Sequence, residues 1–445
     1  MMRARTLVPA VLGLALAAGA AAQSTPTIDF ESFTLDNGLQ FIVHEDHSVP
    51  IVHVQVWYDV GSAHEPEGRS GFAHLFEHMM FINTDHLEQG EFDSYINRAG
   101  GNLNGTTNKD RTAYFETVPA NYVNVALWLE ADRMANLVVN EENFQREREV
   151  VKEERRLRVD NQPYGQAIMT IDTLSQDWEP YRHTVIGSMD DLNAATSEDA
   201  RAFYERFYVP NNAAVVVAGD VTVDQVRGLA ERYFGHMERG PELPELPPVP
   251  AAPRTDGERR VTVEDDKATL PLYLSAYTIP QEGHADIPAL ELMGRILMTG
   301  ESSRLNQRLV QEERAALQIF GGASAGMGPG TVTVYAVPNQ GVDVSRVEAL
   351  IWEELERIRA EGVTARELEK AQNQTRASMI MSRQRVSSKA SMLQSYRRQG
   401  DISKINTAID GYMAVTVEDI QRVAETYLNP ANRTVVIAVP AGPST

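Results

Sequence analysis

Cysteine is absent from all 445 residues, which removes disulfides, thiolate metal ligands and a cysteine nucleophile from consideration. Any metal on this chain must therefore sit on imidazole and carboxylate groups. Long apolar runs are also missing: beyond the N-terminal segment nothing reaches the roughly 20 apolar residues that a bilayer crossing requires. Positive charge is in the minority, with 41 Lys and Arg against 62 Asp and Glu and a formal charge of -21. That balance excludes a broad nucleic-acid footprint, which needs basic side chains to neutralise phosphate. It suits a solvated acidic surface and would attract basic stretches of polypeptide.

The N-terminus reads as an export signal. Arg3 and Arg5 precede an apolar run from Leu7 to Ala18, and Ala20, Ala21 and Ala22 offer small side chains for cleavage before Gln23. A signal peptide over residues 1–22 leaves no retained membrane segment and places the mature chain outside the cytoplasm, in a bacterial periplasm.

A chain this long exceeds one hydrophobic core. Residues 241–253 carry prolines at 241, 244, 247, 248, 250 and 253, which fix φ and remove donors that helices and central strands need. The expected division is an N-terminal domain over 23–240, a proline-rich linker over 241–257 and a C-terminal domain over 258–445. The two sides repeat each other. Thr196-Ser197-Glu198-Asp199 opens a helical segment followed by Pro210-Asn211-Asn212 and a Val-rich run. Thr416-Val417-Glu418-Asp419 opens another, followed by Pro430-Ala431-Asn432 and a second such run, always 220 positions later. Matching cap, helix, proline turn and strand indicate an internal duplication.

Residues 39–43 and 51–60 read as strands, the second with an alternation that predicts one solvated face. Helices are expected over 72–81, 122–137 and 141–158. In the second half, a strand over 271–277 and a helix over 289–297 correspond to the first strand and helix pair. The fold class is α+β: two related domains, each a mixed or mostly antiparallel sheet with helices on one side.

The chemistry-bearing segment is His74-Leu75-Phe76-Glu77-His78. Residues four apart stack on one helix face, so both imidazoles can address one ion, with Glu77 near the same face to accept a proton from a water. This is an H-x-x-E-H pattern. With it, the chain resembles the pitrilysin and mitochondrial-processing-peptidase family of zinc peptidases, the inverzincins. That family has a third ligand in an E-R-x-V-x-x-x-E-like segment, matched here by Glu147-Arg148-Glu149-Val150-Val151-Lys152-Glu153-Glu154. The resemblance implies that His74, His78 and Glu154 hold one Zn2+ per chain, leaving the fourth position open. Glu147, two helical turns earlier, would support them. Glu153 is the rival ligand, and Glu149 and Glu153 suit exposed pairs with nearby Arg and Lys.

Gly100-Gly101-Asn102-Leu103-Asn104-Gly105-Thr106-Thr107 leads into a strand at Thr112-Ala113-Tyr114-Phe115-Glu116-Thr117. This region looks like the family's active-site edge strand, on which a peptide adds as a further strand. By resemblance, Asn104, Gly105 and Thr106 bind substrate, Asn104 orienting the peptide or polarising its carbonyl. Gly105 stands where the family has alanine. The family fold also implies that the two domains form one half of a clam-like chamber.

One departure bears on partners. Self-sufficient relatives carry an Arg and a Tyr seven apart; Val310 and Leu317 occupy those positions here, with Arg308, Arg314 and Gln318 nearby. The resemblance therefore implies a heterodimer in which an inactive sister subunit supplies Arg and Tyr. The alternatives are a self-sufficient homodimer or monomer, and a non-catalytic assembly or chaperone subunit that only binds peptides. The stretch Gly321 to Gly330 reads as an open loop near such an interface or as a flexible surface turn.

Overall fold

A computed structural model describes residues 27–441 of the chain. The expected signal peptide lies outside the described residues. Among those residues no helix is long and apolar enough to cross a membrane.

The first half is built on strands β1 (Glu31–Thr34), β2 (Gln40–Glu45), β3 (Ile51–Tyr58), β4 (Asn102–Thr107), β5 (Thr112–Pro119) and β6 (Ala213–Gly219), in the order β1-β2-β6-β3-β5-β4. Its helices are α1 (Phe72–Met79), α2 (Glu91–Arg98), α3 (Val123–Asn136), α4 (Glu141–Arg155), α5 (Gly165–Leu174), α6 (Met189–Ala194), α7 (Ser197–Phe207) and α8 (Val223–Phe234). The second half has β7 (Arg259–Asp265), β8 (Leu272–Ile279), β9 (Ala316–Ser324), β10 (Gly330–Pro338) and β11 (Arg433–Pro440), ordered β7-β11-β8-β10-β9. Helices α9 (Ile287–Met298), α10 (Val344–Glu361), α11 (Ala365–Ser382), α12 (Val386–Arg398), α13 (Ala408–Met413) and α14 (Val417–Tyr427) complete it.

Apart from the additional edge strand β1, the two sheets share one topology. In each, a single parallel pair (β2 with β6, β7 with β11) joins an otherwise antiparallel series ending in an edge strand, β4 or β9. The repeat holds at the level of single bonds. Thr196 caps α7 and Thr416 caps α14, each accepting the N–H three residues on at 3.1 Å in a capping box closed by Asp199 or Asp419. Past each helix, Asn212 and Asn432 each donate to a helix-end carbonyl at 2.8 Å, that of Phe207 and that of Tyr427.

One expectation fails. The alternation His53-Val54-Gln55-Val56-Trp57 predicts a solvated face on β3, yet His53, Gln55 and Trp57 are all buried. The cover is α12 of the second half. Val386, Ala390 and Leu393 pack with Ile42, Val216 and Ala218, and Gln394 donates to the Ala214 carbonyl at 2.7 Å. Lys389 and Arg397 reach Asp46 and Asp59 at 2.5 and 2.6 Å. In the reverse direction α5 covers the second sheet, with Ala167 and Ile171 against Leu272, Leu274, Val436 and Ala438. Each half's own helices lie on one face of its sheet, and a helix from the other half closes the opposite face. Of the polar residues on β3, Gln55 thus meets Ser391 of α12 at 3.4 Å, while His53 bonds Thr117 of neighbouring β5 at 2.9 Å.

The first core also encloses charge. Arg133 of α3, fully buried, donates to Glu130 at 2.9 Å and to Glu116 of β5 at 3.1 Å, both also fully buried. Its guanidinium lies 4.3 Å from the centre of Tyr114 and 4.5 Å from that of Phe92. Burial, with Glu130 adding to it, pushes the Glu116 carboxyl up. Replacing Arg133 by Met leaves two buried carboxylates without a counter-charge, and is expected to cost about 3–5 kcal/mol. Urea unfolding measures this; a loss below about 1 kcal/mol would show that the cluster behaves like a surface pair.

Candidate metal centre

Helix α1 turns Phe72, Leu75, Phe76 and Met79 into the core and leaves His74, Glu77 and His78 on its other side. Its start is fixed from a distance. The buried Glu65 carboxylate accepts the N–H groups of Gly71 and Ala73 at 2.9 and 2.8 Å, supplying the cap that Gly71 lacks. His183 holds Glu65 in turn at 3.0 Å. Gly71 and Gly187 lie back to back at positive φ. A Cβ on Gly187 would stand 2.3 Å from the Ser70 carbonyl, so only glycine allows the approach that sets Val185 and Ile186 beside the site. Neither Glu65 nor His183 was singled out by the sequence motifs; an acid shortly before a capless, glycine-led helix was the available signal.

Across from α1, helix α4 presents Glu154. Its Oε2 lies 3.5 Å from His74 Nε2 and 3.1 Å from His78 Nε2. Donors bound tetrahedrally to zinc at 2.0–2.1 Å stand about 3.3 Å from one another, so the observed separations bracket the spacing the ion needs. Glu154 Oε2 is buried and has no hydrogen-bond partner, a costly state for a carboxylate oxygen unless a cation occupies the space. Burial first, and then neighbouring His78, holds His74 down to about 4, so its imidazole is neutral and its lone pair is free near pH 7. The residues present fit a zinc ion. Among the described residues His74, His78 and Glu154 are the one group of three such side chains placed to share a metal.

Glu153, the rival, also lines the cavity at the metal group but is more than half exposed and pairs with Arg156 at 3.0 Å, and Glu149 pairs with Lys152 at 2.8 Å, as the charge pattern predicts. Arg158, past the end of α4 where the helix widens to a π-turn over Arg156–Asp160, meets Glu154 Oε1 at 2.5 Å. Glu147 is buried and accepts from Arg146 at 3.0 Å. It lines a side cavity of about 300 Å3 with Glu77, His78 and Phe81.

The main cavity, about 940 Å3, runs from the metal group past Glu77 to β4, and all its lining residues belong to the first half. Burial raises the Glu77 carboxyl above its usual range, against the opposing pull of Thr107 and His78. That shift makes it a stronger base than a solvated carboxylate. β4 is the sheet edge, while the 112–117 segment lies inside the sheet between β3 and β4. The Asn108 N–H bonds the Arg111 carbonyl at 3.0 Å, so the antiparallel alternation turns the backbone of Asn104 and Thr106 toward β5 and that of Leu103, Gly105 and Thr107 outward. The outward Gly105 N–H is taken by Asn104 Oδ1 at 2.9 Å, a bond within the strand that an added strand would replace. A Cβ on Gly105 would stand 3.0 Å from both Glu77 Cγ and the Phe81 ring.

Two imidazoles and a carboxylate fitted to zinc, with a half-buried acid alongside and an open sheet edge above, define a zinc metallopeptidase. Comparison with known proteins gives the family. The insulinase model of peptidase family M16 matches residues 40–178, and the model of the M16 inactive domain matches residues 194–375. The zinc protease PqqE of Helicobacter pylori is 33% identical over 411 residues, 92% of this chain and 93% of its own. The crystal structure of a protease from Helicobacter pylori superposes with a TM-score of 0.89 at 32% identity, covering 93% of this chain and 100% of that one. A probable mitochondrial-processing peptidase subunit beta of Arabidopsis thaliana is 27% identical over 267 residues, 60% of this chain and 50% of that protein. The periplasmic protease PqqL of Escherichia coli shares the fold, with a TM-score of 0.73 at 17% identity over 94% of this chain and 50% of that chain. The present chain belongs to peptidase family M16.

Metal analysis of purified variants tests the ligand set. Glu154→Gln is expected to weaken zinc binding at least about 100-fold, whereas Glu153→Gln keeps one zinc per chain. The reverse pattern would transfer the third ligand to Glu153.

Proposed function

We propose that the chain is the catalytic subunit of an exported, two-chain zinc endopeptidase that cleaves extended peptides. The observation that carries this reading is the His74–His78–Glu154 group beside half-buried Glu77, directly under the free edge of β4.

A peptide pairs with β4 through the outward backbone of Leu103, Gly105 and Thr107, displacing Asn104 Oδ1 from the Gly105 N–H and freeing the Asn104 amide to orient the substrate. Thr106 stays bonded within the hairpin and keeps the strand straight. Zinc, held by His74, His78 and Glu154, would supply Lewis acidity that polarises the scissile carbonyl and lowers the pKa of water. Glu77 takes the proton from that water and returns it to the leaving amine. Glu147, on the same helix as Glu154, faces Glu77 and His78 across the side cavity and supports the ligand group from there.

The need for a second chain is supported by what the cavity lacks. No residue of the second half lines it. Val310 and exposed Leu317 stand where the family's Arg and Tyr are expected, Arg308 is engaged with Glu313 at 3.0 Å, and Gln318 is an exposed side chain on β9. Similarity to a processing-peptidase subunit, and to half the length of PqqL, agrees with a working enzyme made of two such units. Likeness to a periplasmic protease joins the N-terminal pattern in favour of export.

Glu77→Gln is expected to retain zinc and lose turnover by about 10²–10⁴-fold. Measured on the chain alone and mixed with its sister subunit, the wild type should cleave peptides efficiently only when mixed. Normal turnover in Glu77→Gln would remove its role as base, and full activity in the unmixed chain would remove the partner.

A further inference from the structure

A single turn ties the catalytic edge strand to the second half. Residues 108–111 join β4 to β5, so whatever holds this turn holds the end of β4 beside Glu77. Asp110, only 5% exposed, accepts from the Tyr181 hydroxyl and from the Met327 N–H at 3.1 Å, and lies 3.7 Å from Arg398. Met327 sits in the β9–β10 loop and Arg398 on α12, both in the second half. The same contacts are locked further out. Tyr181 Oη accepts the Gly328 N–H at 3.0 Å, and Arg398 donates to Glu282 at 2.9 Å, whose own N–H bonds the Gly326 carbonyl at 2.8 Å. A Cβ on Gly326 would stand 2.7 Å from the Asp110 carboxylate, and one on Gly328 would stand 2.3 Å from the Trp178 ring. The glycine-rich stretch is thus a fitted clasp, not a flexible surface turn.

Arg111 carries the contact inward. Its guanidinium lies over the Trp57 ring at 4.8 Å and donates to the Thr106 carbonyl at 2.7 Å and to the Thr106 hydroxyl. Arg398 lies over the same indole at 5.8 Å. Asp110, Arg111, Tyr181 and Arg398 are all outside the lining of the metal cavity. An edge strand is bonded along one side only, and its order depends on what fixes its ends.

We propose that the metal-free second half acts as a brace on the peptide-binding edge: Asp110 is a positioning residue that, through Arg111 and Thr106, keeps β4 extended and ready to pair. The proposal rests on the peptidase reading above, because it takes β4 as the strand that receives the peptide. Pairing with β4 stabilises bound substrate and transition state alike, so loosening the strand raises KM and leaves kcat in place.

The test compares wild type, Asp110→Ala and the nearly isosteric Tyr181→Phe on a peptide that the wild-type enzyme cleaves. KM is expected to rise about tenfold in Asp110→Ala and about threefold in Tyr181→Phe, as loss of charged and neutral hydrogen bonds implies. In both variants kcat stays within about twofold and zinc content is unchanged. Hydrogen exchange at the Asn104 and Thr106 amides should accelerate in both while β3 and β6 stay protected. Unchanged KM with unchanged β4 exchange overturns the brace, as does a fall in kcat accompanied by loss of zinc. A wild-type enzyme that cleaves no peptide, alone or paired, overturns the peptidase reading instead, and the exchange data then judge the brace by themselves.

Discussion

The packing of α1 against α4 is the constraint on which the rest of the site depends. It brings one carboxylate oxygen within 3.5 Å of two imidazole nitrogens on another helix. Left bare, its Oε2 would be a buried polar atom without a hydrogen-bond partner although Oε1 meets Arg158, so the folded chain is poised for a cation before any ion arrives. The same burial keeps His74 neutral and raises the Glu77 carboxyl, so one physical cause suits the first to the ligand role and the second to the base role proposed for them. The start of α1 is then held by a buried acid and a glycine pair, so His74 and His78 have little freedom to drift apart.

Duplication explains the second half's frame but not its work. Apart from β1, both sheets carry the same strand order, and both halves have the same capped helix and the same asparagine bond, yet a metal group forms only in the first among the described residues. The halves are fastened by exchange of α5 and α12, which buries polar residues of β3 that a lone domain would leave in water. The hairpin following β9 adds a third fastening at the tip of β4–β5. On the proposed reading, a half without the metal group contributes by holding the strand that would receive the peptide.

Local signals carried far. The H-x-x-E-H helix, the acidic α4 and the 220-residue repeat appear where periodicity and capping put them, because each depends on neighbours within a few turns of chain. The α+β class followed from the same patterns. What escaped depends on distant contacts. Alternation on β3 could not reveal that α12, more than 300 residues away, would cover its polar face. Nothing in the composition of residues 321–330 distinguished a clasp on Tyr181 and Asp110 from a loose turn. No local signal marks Glu116, Glu130 and Arg133 as a buried cluster, because only the packing of β5 on α3 brings them together.

Anomalous diffraction at the zinc edge, from crystals of the zinc-loaded chain, tests the central claim most directly. The account predicts one peak at about 2.0–2.1 Å from an Nε2 of His74, an Nε2 of His78 and an oxygen of Glu154. A peak coordinated by Glu153 or Glu147 in place of Glu154, or no peak between α1 and α4, would contradict it.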